Sequence, residues 1–202
     1  MSSTCDPQYA PAGDVGTALM VIDSRLKAIY DGRTEIDPEQ RRLDAQLTSS
    51  LGPTGAQDLI DGVCTIVFMY MRWLRMACEE HDKDVVEYVV PNLVTALRRM
   101  PKSISPEAIP TMAGLVIAAG TGLSPSLWRE QYGEWTKPEM NALEATGFLL
   151  AELINRVTDD REFASRLIGQ ALTDADALRD EGEGEDGNGD GNRDGYGYGF
   201  GE

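Results

Sequence analysis

Apolar residues recur at alternating steps of four and three from Val15 through Leu19, Ile22 and Leu26 to Ile29, the period of one face of an α-helix. Asp14 stands where such a helix is capped and Gly32 where it ends. A second start lies at Asp37-Pro38-Glu39: a cap, a proline suited to the first helical position, and an acid near the positive helix end. It leads into Leu43, Leu47 and Leu51, and Gly52-Pro53 predicts its stop. The device recurs at Ser105-Pro106-Glu107, and Thr136 with Glu139 has the spacing of a capping box. From there Met140, Leu143, Phe148, Leu149, Leu150, Leu153, Ile154 and Val157 predict one packed helix. Beyond Asp159, the apolar positions Phe163, Leu167, Ile168, Leu172 and Leu178 predict another.

The middle of the chain reads two ways. Residues 65–71 and 85–90 are β-branched and aromatic enough for strands. The first run continues apolar through Trp73, Leu74, Met76 and Ala77 without a turn signal, which favours a buried helix. For the second, Asp82 or Asp84 offers a cap, and Pro91 predicts a kink or a place in the first turn. The expectation is an all-α fold, a compact bundle of about six to eight helices. The alternative is a small α/β domain with strands near 65–71, 85–90 and 115–119.

Past Leu178 the pattern ends, with nine glycines in the 24 residues from Arg179 to Glu202. Such a composition does not offset its ordering entropy by burial. Three parts follow: a flexible N-terminus over 1–13, a helical domain over 14–178, and a disordered acidic Gly-rich tail over 179–202. The net charge is −16, of which eight acids against two arginines place −6 in the tail and leave −10 on the rest. That balance opposes direct binding to nucleic acid or an anionic membrane and suits basic protein partners, divalent cations or solubility. Cys5, Cys64 and Cys78 form no CxxC pair and leave an odd thiol, which points to a reducing cytoplasm. Residues 1–11 lack a basic and an apolar region, so no secretory signal is expected. The apolar run 63–71 is closed by Arg72, and 108–128 is broken by prolines and glycines, so both read as core rather than as membrane spans.

Few residues suggest chemistry. Asp186, Asn188 and Asp190 sit at the first, third and fifth places of a possible cation loop, with Gly191 at the sixth and Asp194 at the ninth. The stretch resembles EF-hand and related calcium loops, and the resemblance implies Asp186, Asn188, Asp190 and Asp194 as ligands. It departs from them at the twelfth place, where Gly197 replaces the bidentate glutamate, and in its flanks. His81 is the only histidine, which excludes the multi-histidine zinc and di-iron motifs. Cys78 and His81 lie one turn apart with no second ligand pair, and no Gly-x-Ser-x-Gly elbow supports a triad. Gly114 to Gly122 reads either as a strand and phosphate-holding glycine turn, or as a helix C-terminus and loop. Pro125 stands where a dinucleotide fingerprint needs its third glycine.

No catalytic residue and no cofactor is therefore expected. Met69, Met71 and Met76 with Trp73 suggest an adaptable groove for a partner helix, and Arg72 and Arg75 mark its wet or ion-paired edge. The expected function is a non-enzymatic interaction or assembly module, whose partner is another protein, a basic one included, or a second copy of itself. The alternatives are an acidic nucleic-acid mimic on the basic surface of a DNA-binding protein, and a small nucleotide-using enzyme built around Gly120 and Gly122.

Overall fold

The structure, a computed structural model, describes residues 5–32 and 38–183, without the side chains of 38–53, 176 and 178–183. Seven α-helices and two 3₁₀ turns make up the regular structure of these residues, and no strand occurs among them. The helices are α1 (Val15–Tyr30), α2 (Pro38–Glu79), α3 (Val85–Arg98), α4 (Ile109–Gly120), α5 (Pro125–Glu130), α6 (Lys137–Thr158) and α7 (Phe163–Glu183). The chain divides into two units, Met1–Ile168 and Gly169–Glu202.

In the first unit α2 is the hub, packing on α1, α3, α4, α5 and α6. Its second half buries Ile66, Val67, Tyr70, Met71 and Leu74, a spacing that fits 3.6 residues per turn and not the alternation of a strand. The same period runs through α3 as Val85, Val89, Leu93 and Leu97. The strands considered near 65–71, 85–90 and 115–119 are thus helical, in α2, α3 and α4. Helix α6 is the second core element and buries Leu143, Leu150, Ala151 and Ile154. Arg25 of α1 ties to it through Glu144 at 2.6 Å.

Caps set most boundaries. Asp14 accepts from Thr17 N–H at the start of α1, and Asp84 accepts from the amides of Val86 and Glu87 at the start of α3. Thr136 and Glu139 form the capping box of α6. The predicted stop at Gly52-Pro53 does not occur, since α2 continues through both to Glu79. Proline removes one amide donor, and helical bonds on either side carry the helix on. Ser105-Pro106-Glu107 yields a 3₁₀ turn, Pro106–Ala108, before α4 begins. Pro91 lies inside α3. The apolar stripe of α1 stops short of its last member, because Val15, Ala18, Ile22 and Leu26 are buried whereas Ile29 is exposed.

The N-terminal stretch expected to be flexible is tied down from Cys5 onward. Ser124 N–H donates to Cys5 O at 2.8 Å, Asp14 N–H to Asp58 O at 2.8 Å, and Thr65 Oγ1 to Ala12 O at 2.9 Å. Gly13 and Gly62 make this seat, for a Cβ on Gly62 would lie 2.4 Å from Asp14 O. Gly13 itself has a φ of +66°, which favours glycine on conformation as well.

In the second unit the described residues, 169–183, continue α7 five residues beyond Leu178. Gln170 there donates to Asp174 and Thr173 to Gly169 O.

Candidate functional site

Six residues were singled out on the second half of α2, and its rotation separates them. Met71 is fully buried and faces α4, where its Cε would lie 3.2 Å from a Cβ on Gly120. It belongs to the core and not to an interaction groove. Met69, Trp73 and Met76 fall at i, i+4 and i+7 and so share another face. The first two are half-buried and Met76 is 58% exposed. The ring of Phe163, at the start of α7, meets Trp73 with centroids 5.2 Å apart, within the range of a favourable aromatic pair. Arg72 and Arg75 are exposed beside this face, and Arg75 donates to Glu79 at 2.9 Å.

Sequence reasoning passed over a polar cluster around α5. Asp61 is buried and accepts from Ser126 Oγ at 2.8 Å and from Gln57 Nε2 at 3.0 Å. Cys64 lies beside them, and burial above all pushes its thiol up to about 12, opposed by a hydrogen bond with Ser126. An acid, a serine and a cysteine thus meet without a histidine. His81 is exposed in the turn after α2, seventeen residues along the chain from Cys64, or roughly 25 Å at helical rise. No triad is assembled there.

A second polar network centres on Arg129 and Glu139. Arg129 is buried and donates from Nη1 to Gly133 O at 2.7 Å, and from Nη2 to Glu134 O at 2.9 Å and Glu139 Oε2 at 2.6 Å. Glu139 also accepts from Thr111 Oγ1, Thr136 Oγ1 and Thr136 N–H. Burial alone would raise the Glu139 carboxyl, but these hydrogen bonds outweigh it and bring the group down to about 2. The guanidinium of Arg129 lies 5.0 Å from the Trp135 ring centroid. Above the clamp, Tyr132 tilts against Trp128 at 5.0 Å, and Trp128 rests over Gly114, where a Cβ would lie 2.6 Å from Cη2. The sequence signals were the capping-box spacing of Thr136 and Glu139 and three aromatics in eight residues, Trp128 to Trp135.

The phosphate-holding turn is not formed. Gly114 to Gly120 lie within α4, and the amides of residues 121–124 are already donated to Ile117 O, Ala119 O, Ala118 O and Cys5 O. These groups cap a helix and hold the N-terminal segment, which leaves none of those four amides to cradle an anion. The calcium-loop residues Asp186, Asn188, Asp190 and Asp194 lie outside the described residues. Among the described residues no three His, Cys, Asp or Glu side chains gather as a metal site, and no helix is long and apolar enough to cross a membrane. Comparison with family models, with curated proteins and with solved structures finds no match.

Proposed function

We propose that this protein is a non-catalytic interaction or assembly module, which binds a protein partner or a second copy of itself through the face of Met69, Trp73 and Met76. The observation that carries the reading is the company these side chains keep. Two methionines flank a tryptophan at helical spacing, with an aromatic ring from another helix beside it and Met76 more than half exposed. Unbranched thioethers adapt to a partner's contours, and a half-buried tryptophan supplies contact area at small entropic cost. Arg72 and Arg75, both exposed, form the polar edge that interfaces commonly have. Cys64 and Cys78, both free thiols and buried, support a reducing location, the cytoplasm.

Met76→Asp tests the reading, because an exposed side chain is replaced with little disturbance of the core. The partner set recovered by pull-down and the mass from size exclusion with light scattering are compared with the unsubstituted chain. The expected result is loss of the dominant partner or of the oligomer, with affinity lower by about tenfold or more. An unchanged partner set and an unchanged mass, with an unchanged circular-dichroism spectrum, would sink the proposal.

The net charge of −16 supports a second reading, an acidic nucleic-acid mimic on the basic surface of a DNA-binding protein. Salt separates the two. Binding that collapses between low and high ionic strength favours the mimic, while binding through the apolar face persists.

A further inference from the structure

The loop at 131–136, between α5 and α6, takes no part in the face just described. Its backbone is held from beneath at two consecutive carbonyls, Gly133 O and Glu134 O, by the buried guanidinium of Arg129. Glu139 fixes that guanidinium in turn at 2.6 Å. Gly133, at a φ of +95°, lets the chain make the turn. The result is a loop of fixed shape rather than a loose connection.

On its outer side stands Tyr132, 67% exposed, the most exposed aromatic side chain among the described residues. Trp128 supports one side of its ring. Glu130 and Glu134 are both exposed at this loop, and no ion pair among the described residues occupies either. A ring face with carboxylates beside it recognises a planar cation, which stacks on the ring while its N–H groups meet the acids. The fold contains its own instance of this chemistry a few residues away, where Arg129 lies over Trp135 and pairs with Glu139. Among the described residues no such cation meets the outer ring or these acids. A chain at −16 also raises the local concentration of basic partners.

We propose that this loop is a docking site for an arginine-bearing basic segment of a partner protein, with a guanidinium stacked on Tyr132 and paired with Glu130 or Glu134. Preorganisation by Arg129 lowers the ordering cost that a mobile loop would incur on binding.

The probe is a fluorescein-labelled peptide with three arginines spaced by glycine and serine, titrated into the full chain at low salt and followed by anisotropy. Tyr132→Ala should weaken binding about two- to fivefold, the worth of an exposed cation–π contact, while Tyr132→Phe keeps it. The double variant Glu130→Gln/Glu134→Gln should weaken it at least as much. Glu87→Gln/Glu107→Gln removes the same charge from exposed positions elsewhere and should leave the affinity within about twofold. Three results would each overturn the proposal: no binding of the peptide, full affinity in Tyr132→Ala, or equal weakening by both glutamine pairs, which marks general charge attraction.

Discussion

At the scale of single residues, Arg129 and Glu139 carry the sharpest consequences. Their side chains are 4% and 13% exposed, so removing one charge strands the other in the interior. Glu139→Gln should cost on the order of 3 kcal/mol and lower the thermal midpoint by roughly 6–12 °C, read by circular dichroism. The Glu139 carboxyl, held by the Thr136 amide, by Arg129 and by two threonine hydroxyls, also sets a pH dependence. The folded carboxyl titrates at about 2, below its ordinary value of 4.5, so its contribution is complete above pH 4.5 and is lost as pH falls toward 2. The stability difference between wild type and Glu139→Gln should therefore be large at pH 7 and shrink at pH 3. A difference that stayed constant between the two would show that the Glu139 carboxylate is not its source. The capping box made Thr136 and Glu139 legible in the sequence, but not the pairing with Arg129, since an arginine ten residues before a glutamate is unremarkable. The burial that gives the pair its weight comes from the packing of α4, α5 and α6 together.

Among whole elements, what the sequence made legible was local. The caps at Asp14, Asp84 and Thr136 act through amides two or three residues away, so spacing alone identifies Asp14 and Thr136 and narrows the α3 cap to Asp82 or Asp84, of which the structure uses Asp84. The helical state of 65–71 needed the packed core, because β-branched residues also suit a buried helix once neighbours surround it. Gly52-Pro53 misled for the complementary reason, since a local breaker yields when the helix has support on both sides. The apolar positions Met69, Met71, Trp73 and Met76 were legible, but not the rotation that sends Met71 inward and Met76 outward. Glycines resolve the element packing experimentally. A Cβ on Gly16 has open space, with Asp14 Oδ1 nearest at 3.7 Å, whereas one on Gly62 meets backbone at 2.4 Å. Gly16→Ala should stabilise by up to about 1 kcal/mol through helix propensity. Gly62→Ala should destabilise by roughly 2 kcal/mol despite the same gain, since a backbone has to move. Chemical denaturation of the two variants gives the comparison, and a stable Gly62→Ala would show that residues 5–14 are not seated on α2 as described.

Over the whole molecule, the core can be followed through one thiol. Cys64 is fully buried on the hub helix, and burial pushes it up to about 12, so the reactive thiolate is scarce while the fold is intact. Alkylation at pH 8 followed by mass spectrometry should find Cys64 unmodified in native buffer and modified at the rate of global unfolding in denaturant. Rapid native labelling would place the opening of α2 far below the stability of the bundle. The N-terminal seat has a further consequence in time. Cys5 receives its bond from Ser124, and Arg25 meets Glu144, so α1 finds α2 soon after it is made but has to wait for α6. At about 5–20 residues per second, the 119 residues between Arg25 and Glu144 take roughly 6–24 s to follow. During that interval the part of α1 that packs on α6 is open to whatever meets a nascent chain at the ribosome, and the bundle closes only when α6 emerges.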